Sequence, residues 1–405
     1  MRCWIGLNAL NFFIAAAQTG FGPFFSVYLT EQNWNQADIG IALSIGTASV
    51  LAFQLPSGAL VDMIRHKRFA NGLGLVLVGA SAVMLAAHPT EPLVWSSQLI
   101  HSLGSCILGP AIAALTLALA GQTAFSERIG INARYASIGN ALAAALFGAL
   151  VTWSSNRAAF IASALLCVAG LATLPLFRAT DSVPVSDHPA MLTPSELRDR
   201  SQHPWHIFAE PALHVFAICA VLFSVANAAM LPLALNELAK RTDDTGFVVS
   251  AAIIVPQIVV AACSPWVGRL AETIGRRPIL LLGFVALPAR ALLFTTLPDA
   301  VPLVMMQVLD GVSATVFGLM VPLIAADVTR RTGYLNLAIS SLSLAAGLGA
   351  TFSTTAAGWI ADTMGAPAAF MTLAVVGAAA VALLWAMMPE TRPGKPVAGE
   401  PATVV

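Results

Sequence analysis

Three ionisable residues lie inside long apolar stretches of the sequence: His101, Arg290 and Asp310. A charge near the centre of a bilayer costs at least about 2.5–3.5 kcal/mol, so such side chains normally face a partner or a water-filled cavity. Arg290 and Asp310 fall at similar depths of successive helices. This predicts an ion pair, which could be a static bridge between the helices or part of the function.

A histidine can gain or lose a proton near neutral pH. His101 and Asp310 are therefore candidates for binding a coupling proton, whereas the alternative for His101 is a neutral, hydrogen-bonded helix residue. Uncharged polar residues at similar depth could contact a solute, although some must only bond to neighbouring helices, which contributes about 0.6 kcal/mol on average. These residues are Asn11, Gln18, Gln54, Asn227, Gln257 and Gln307.

A second pattern joins a glycine, an acid and a basic cluster at two places in the chain. It runs from Gly58 to Arg68 and again from Gly268 to Pro278. Glycine lets helices approach closely, and an acid can face the positive N-terminal end of another helix. We expect the first acid to contact the eleventh span near Gly333 and the second to contact the fifth near Gly130; the alternative is that the basic cluster only fixes topology. The residues of this predicted gate are Gly58, Asp62, Arg65, Arg68, Gly268, Glu272, Gly275, Arg276 and Arg277.

The composition places these residues in a membrane protein. Of 405 residues, 58% are apolar and 10% are charged, against about 25% charged in an ordinary soluble domain. Apolar stretches of about 20 residues are long enough to cross the bilayer as helices. Twelve such spans are predicted, at 4–29, 37–61, 69–87, 93–120, 130–152, 157–177, 212–236, 246–268, 278–297, 300–325, 335–360 and 366–388.

Charge and cysteine content exclude several classes of function. The net charge is zero, so nothing favours a nucleic-acid partner. The five cysteines are scattered through apolar segments and have neither disulfide nor zinc spacing. We recognise no enzyme motif and expect no metal and no cofactor.

The distribution of Lys and Arg predicts the orientation in the membrane. Of the twenty basic residues, the odd-numbered loops hold only Arg157, Lys240 and Arg241, while Arg134 and Arg290 lie within spans. The other fifteen lie at the termini or after even-numbered spans, the side on which basic residues are retained. We therefore expect both termini to be cytoplasmic in a bacterial inner membrane.

An internal repeat divides the chain into two halves. At an offset of 209 residues, Gln18 matches Asn227 and His101 matches Asp310. A parallel repeat of this kind implies two bundles related by a pseudo-two-fold axis, with a cavity between them. The predicted domains are an N-terminal six-helix bundle at 1–177, a cytoplasmic linker at 178–211, a C-terminal six-helix bundle at 212–388 and a disordered cytoplasmic tail at 389–405.

The segment from Gly268 to Pro278 resembles the signature of the major facilitator superfamily. The earlier copy keeps the glycine, the acid and the basic cluster but has Arg65 where the second glycine is expected. The resemblance covers the whole chain. It implies an all-α fold of twelve transmembrane helices in two six-helix bundles, alternating access, and a cavity lined by spans 1, 4, 7 and 10.

The function expected from these features is proton-coupled export of a small organic or amphiphilic solute by a monomer. The drug-exporting members of the superfamily usually carry a proline and a glycine pair in span 5, and the stretch from Gly139 to Gly148 has neither. An importer or facilitator of an anionic metabolite, with Arg290 as the anion clamp, is the first alternative. A non-transporting membrane sensor or interaction protein is the second.

Overall fold

The computed structural model describes residues 2–21, 23–87, 89–153, 156–177, 207, 210–239, 246–296, 299–330 and 332–392. Within these ranges all regular structure is helical, and no strand is present. The predicted linker lies almost entirely outside the described residues, as does the tail beyond residue 392.

Six spans form the N-terminal half, and the boundaries agree closely with those predicted. Two helices build span 1. The helices are Arg2–Thr19 and Pro23–Glu31 in span 1, Gln36–Met63 in span 2, Lys67–Ala87 in span 3, Glu91–Trp153 in spans 4 and 5, and Asn156–Thr173 in span 6, with a 3-10 turn at Leu174–Leu176.

The C-terminal half repeats this plan, again with a broken first helix. The helices are Pro211–Asn227 and Met230–Ala239 in span 7, Gly246–Thr273 in span 8, Arg276–Phe294 in span 9, Ala300–Val328 in span 10, Leu335–Met364 in span 11 and Ala366–Met387 in span 12.

Ten stretches among the described residues are long and apolar enough to cross a membrane. One of them, Glu91–Val151, is 61 residues long and therefore supplies two crossings at 1.5 Å per residue. Span 1, built from helices of 18 and 9 residues, is not among these ten and is the twelfth crossing. The prediction of twelve spans is confirmed.

The structure shortens the predicted connection between spans 4 and 5. Residues 121–129 were expected to connect two helices, but the two helices meet across a kink at Gly121, with φ 67° and ψ 175°, and the residues that follow it already belong to the second helix. Glycine tolerates this left-handed backbone at no steric cost. The following turn is helical because Phe125 and Ile129 are buried in the C-terminal core cluster, an environment that the local sequence does not reveal.

Two seams join the halves, and both lie towards one face of the molecule. Span 2 packs against span 11, and span 5 packs against span 8. Their close approach is on the face that carries Asp62 and Glu272, which we call the signature side; the opposite face is the far side. The large apolar cluster of the C-terminal half, including Phe216 and Phe284, extends across this region to Phe125.

Substitution of two glycines in span 11 tests the packing inside the C-terminal half. A Cβ at Gly349 in span 11 would lie 3.1 Å from the Ser224 Cβ of span 7. We expect Gly349→Ala to lower the free energy of unfolding by about 1–3 kcal/mol through overpacking. The matched control is Gly358→Ala in the same helix, where nothing lies within 4 Å of the added carbon. Thermal unfolding in detergent checks the pair, and equal melting temperatures would contradict the packing.

Candidate functional site

The predicted ion pair between Arg290 and Asp310 is present in the C-terminal half. The Arg290 side chain is 2% exposed and that of Asp310 is 20% exposed. The guanidinium also donates from Nε to the Met230 sulfur at 3.3 Å and lies 5.8 Å from the Phe294 ring centroid. The carboxylate end of this pair is therefore the more exposed one.

His101 occupies the corresponding place in the N-terminal half. Its ring stacks on Phe21, with centroids 3.7 Å apart and planes inclined by 15°. Nε2 lies 3.3 Å from the Ser105 hydroxyl, whereas the buried Nδ1 has no hydrogen-bond partner among the described residues. His101 and Asp310 therefore belong to two separate contacts, one in each half.

These two contacts correspond only in part under the internal repeat, because the group that contacts Met230 is Arg290, whereas the repeat partner of His101 is Asp310. Phe21 and Met230 differ by the same 209 positions as His101 and Asp310. Phe21 directly follows the first helix of span 1, and Met230 begins the second helix of span 7. In each half, an ionisable group thus contacts the point at which the first span of the bundle is interrupted.

A cavity of about 310 Å³ lies between the halves; we call it the far cavity because the residues that line it lie beyond the signature side of spans 5 and 8. It contains two of the predicted residues, Gln18 and Gln257, from opposite halves. The Thr19 hydroxyl donates to the Asn140 amide oxygen at 3.2 Å in its wall. Among the residues that the structure describes, those that line it are all uncharged: Gln18, Thr19, Asn140, Ala141, Ala144, Ile253, Ile254 and Gln257.

A second cavity of about 250 Å³ lies nearer the signature side and is lined by spans 1, 4, 5, 10 and 11. Asn11 lines it, although its amide also donates to the Leu7 carbonyl at 2.8 Å. Asn132 lines it too, and its amide donates to the Thr116 hydroxyl at 2.7 Å. We call this the signature-side cavity.

The remaining predicted polar residues line neither of these two cavities. Gln307 is fully buried and its amide bonds within its own helix, to the Leu303 carbonyl at 3.5 Å. Gln54 accepts from the Cys106 thiol at 3.4 Å. The Asn227 oxygen is buried without a partner among the described residues. No group of three or more potential metal ligands occurs in the described part of the chain.

The first copy of the signature meets span 11 through Asp62. One carboxylate oxygen accepts the backbone N–H of Asn336 at 3.1 Å and its side-chain amide at 2.6 Å, and the other accepts the Leu337 N–H at 2.8 Å. These groups lie in the first turn of span 11, whose free N–H groups favour an anion. A Cβ at Gly58 would lie 2.6 Å from the Asn336 carbonyl oxygen, so only glycine allows this approach.

Outside that contact, the basic residues of the first copy do not reach the other half. Lys67 donates to the Val61 carbonyl at 2.7 Å, and Arg68 donates to the Phe177 carbonyl at 3.3 Å. Arg65, at the place of the second glycine, is exposed. Unlike Gly275, it does not adopt a positive φ, so the two copies turn differently.

The second copy forms a charge network instead of a helix cap. Glu272 accepts from the Ser126 hydroxyl of span 5 and pairs with Arg276 at 2.9 Å. Arg276, 3% exposed, also pairs with Asp327 of span 10 at 3.0 Å. On the same seam, Arg269 pairs with Glu127 at 2.6 Å in a more exposed position. The contact predicted for the second acid therefore exists but uses a side chain of span 5.

Glu390, just after span 12, completes this network. Its carboxylate accepts the N–H groups of Arg276 at 2.8 Å, Arg277 at 3.1 Å and Arg392 at 2.9 Å. It packs against Gly275, which has φ 117°, and Arg277 bonds to the Trp385 carbonyl. Burial tends to raise the pKa of the Glu390 carboxyl, but the backbone N–H donors outweigh it and hold the pKa below its usual 4.5.

Several residues at these sites were not selected from the sequence. Phe21 and Met230 could have been found by applying the 209-residue offset to the neighbours of His101 and Asp310. Asn140 and Thr19 gave no signal, because polar residues inside spans are common and only the fold brings these two together. Glu390 was missed because a polar tail after the last span carries no periodic pattern.

Comparison with known proteins gives a consistent result over the whole chain. The family model described as Major Facilitator Superfamily matches residues 7–234 and 215–404. The chain is also 35% identical over 397 residues to an uncharacterised MFS-type transporter of Mycobacterium tuberculosis, found in strains CDC 1551 and H37Rv. That match covers 95% of this chain and 93% of the relative.

Solved transporters share the fold at low sequence identity. The fucose transporter FucP, in the outward conformation, superimposes with a TM-score of 0.72 at 14% identity over 94% of this chain and 97% of its own. The proton:xylose symporter XylE gives 0.74 at 12% over 96% of both chains. The human organic anion transporter MFSD10 gives 0.69 at 18% over 95% of this chain and 99% of its own.

The Glu390 contact makes stability depend on pH. The pKa of the Glu390 carboxyl is lowered in the folded state. Its contribution to the free energy of unfolding is therefore complete above the ordinary pKa of 4.5, and it is lost as the pH falls through the pKa of the folded state. We expect Glu390→Gln to destabilise the protein at pH 7 by about 0.3–1 kcal/mol, the usual size of a carboxylate at a helix N-terminus. Thermal unfolding at pH 7 and pH 4 measures this; an equal difference at both pH values would refute it.

Proposed function

The chain belongs to the major facilitator superfamily, and from that premise we propose that it is a proton-coupled exporter of a small, uncharged, amphiphilic organic solute. The family consists of multi-pass transporters and not of enzymes. The proposal adds the class of solute, the direction of transport and the coupling ion to that statement.

The far cavity carries the proposal. Both halves contribute walls, so rocking one half against the other would change access to it, as alternating access requires. Its lining, in the part of the chain that the structure describes, combines carboxamides and a hydroxyl with uncharged alanine and isoleucine side chains. A charged solute would lose its hydration there without an opposite charge to replace it. An uncharged solute with one polar group and an apolar body fits this lining.

The direction of transport follows from the same class of solute. An uncharged amphiphile enters the bilayer unaided, so a cell gains little from a gradient-driven importer for it. Coupling to proton entry is useful when the solute must be expelled against its own passive return. We therefore favour export.

Coupling is assigned to Asp310 and His101. Asp310 is the more accessible member of its ion pair, and protonation would remove the countercharge of buried Arg290. His101 has an unpartnered ring nitrogen against Phe21. Each contact meets an interrupted first span, so a proton at either site could alter how that span packs. Two proteins of the same fold, the transporters of fucose and xylose, are named as proton symporters.

We also assign the signature side to the cytoplasm of a bacterial inner membrane and the working unit to a monomer. The excess of basic residues on that side supports this orientation. The relative in Mycobacterium tuberculosis supports a bacterial source. The lipid bilayer is the partner of the exposed apolar faces.

Import of an anionic metabolite is the second candidate. Human MFSD10, which shares the fold, is named as an organic anion transporter. Against this candidate, Arg290 is buried and already paired with Asp310, so it is not free to bind an anion. A non-transporting sensor is disfavoured by a cavity walled by both halves.

Exchange of a proton for an uncharged solute moves one net charge per cycle, which makes the proposal measurable as a current. We expect a concentration jump of acetanilide, as a neutral amphiphilic probe, to produce currents from proteoliposomes on a solid-supported membrane. Their sign distinguishes exchange from symport. Asp310→Asn and His101→Gln should reduce the current at least about tenfold, as loss of a coupling group.

The control for these variants is Asp299→Asn, at the start of span 10 and outside the ion pair. Asp310→Asn leaves Arg290 without a countercharge, so the double variant Arg290→Gln/Asp310→Asn is tested as well. Thermal unfolding shows which variants fold. Unchanged currents in folded Asp310 and His101 variants would refute this coupling scheme.

The cavity assignment predicts selectivity by charge. Acetanilide, benzoate and benzylammonium are similar in size, and we expect only the neutral probe to raise the melting temperature, since a ligand stabilises the folded state by mass action. Gln257→Leu should weaken binding about two- to tenfold, the loss of one hydrogen bond. Gln122→Leu, outside both cavities, is the control. Binding of benzoate alone would favour the anionic alternative.

A further inference from the structure

The seam between spans 5 and 8 is a continuous line of close backbone contacts on the signature side. A Cβ at Gly268 would lie 2.5 Å from the Ser126 carbonyl oxygen. One turn further along span 5, a Cβ at Gly130 would lie 3.0 Å from the Cα of Pro265. These approaches need no side chains at the two glycines, and they bring span 5 directly against the backbone of span 8.

At the next turn, the seam uses an arginine. Arg134 donates from Nε to the Ala261 carbonyl at 2.8 Å and from a terminal nitrogen to the Ala262 carbonyl at 3.4 Å. In a regular helix, the Ala261 carbonyl would accept from the N–H four residues later. That residue is Pro265, which has no N–H. The sequence of span 8 therefore leaves a free acceptor, and Arg134 of the other half occupies it.

The next residues along both spans line the far cavity. On span 5 these are Asn140, Ala141 and Ala144, and on span 8 they are Gln257 and Ile254. On the other side of Arg134, Ala133 and Asn132 line the signature-side cavity. Along span 5, Arg134 thus stands between the residues that line the two cavities.

We propose that Arg134 closes the far cavity towards the signature side by binding the Ala261 carbonyl that Pro265 leaves without a helical donor. The guanidinium is a charged donor with a planar fork of N–H groups, which suits a contact with two neighbouring carbonyls. When the seam opens, the guanidinium leaves the carbonyl, and the water that enters can solvate it. Arg134 is therefore a positioning residue of alternating access and not a solute ligand.

The other seam provides a natural comparison. Pro56 in span 2 lies 209 positions before Pro265, but the residue 209 positions after Arg134 is Ser343 and not an arginine. That seam is instead closed at its end by Asp62 at the first turn of span 11. The arginine contact is consequently specific to the seam between spans 5 and 8.

Spin labels can measure this contact without any solute. Thr123 and Thr273 are exposed on the signature side of spans 5 and 8. In a variant whose five native cysteines are replaced, Thr123→Cys and Thr273→Cys carry nitroxides, and pulsed dipolar spectroscopy in nanodiscs resolves closed and open distances. We expect Arg134→Gln to raise the open-to-closed ratio about tenfold, as expected for one charge-assisted hydrogen bond, and Arg134→Lys to restore part of the closed population.

A double-mutant cycle distinguishes the effect of the contact between Arg134 and Ala261 from the general effect of replacing a proline. Pro265→Ala supplies an N–H to the Ala261 carbonyl, so it should raise the ratio in the parent protein and change it little in the Arg134→Gln background. Pro56→Ala, the control, should have the same effect in both backgrounds. Melting temperatures identify variants that are merely unstable. If Arg134→Gln is one of them, the comparison of Arg134→Lys with Pro265→Ala is decisive.

The inference rests on the alternating-access part of the proposed function and on neither the solute nor the coupling ion. An unchanged ratio in Arg134→Gln would overturn it, as would equal effects of Pro265→Ala with and without Arg134. Absence of acetanilide currents would leave these distances unaffected, so the two failures are distinguishable.

Discussion

The lipid bilayer offers no hydrogen-bond partner to a polar group, and the arrangement of this protein depends on that constraint. Each arginine inside the spans is held by a specific acceptor. Arg290 has the carboxylate of Asp310, and Arg134 has the backbone carbonyl that a proline leaves free. The first contact lies within one half and the second joins the two halves. The need to pair a guanidinium therefore stabilises the C-terminal bundle at Arg290 and the seam between the halves at Arg134.

The internal repeat distributes these contacts in related but unequal ways. Each half interrupts its first span and places an ionisable group against the interruption, at Phe21 in one half and Met230 in the other. The N-terminal group is a histidine with a stacked ring, whereas the C-terminal group belongs to an ion pair. The interruption is thus contacted from different positions of the two halves, by His101 in one and by Arg290 in the other, so the two halves need not respond to a proton in the same way.

The two copies of the signature show a similar divergence. Asp62 binds the N–H groups that begin span 11, whereas Glu272 binds a serine hydroxyl of span 5 and pairs with Arg276. The acid of the first copy therefore meets backbone groups of the other half, and the acid of the second copy meets a side chain.

The sequence alone was sufficient for the class of protein, the twelve spans and the ion pair of Arg290 with Asp310. Apolar length and charge placement are local properties, and a bilayer imposes the same cost on a buried charge wherever it occurs. The fold decided what the sequence left open: the kink at Gly121 between spans 4 and 5, the separation of Gln18 and Gln257 from buried Gln307, and the backbone acceptor of Arg134. These depend on which helix faces which across the seams, and that is set by close packing between residues more than a hundred positions apart.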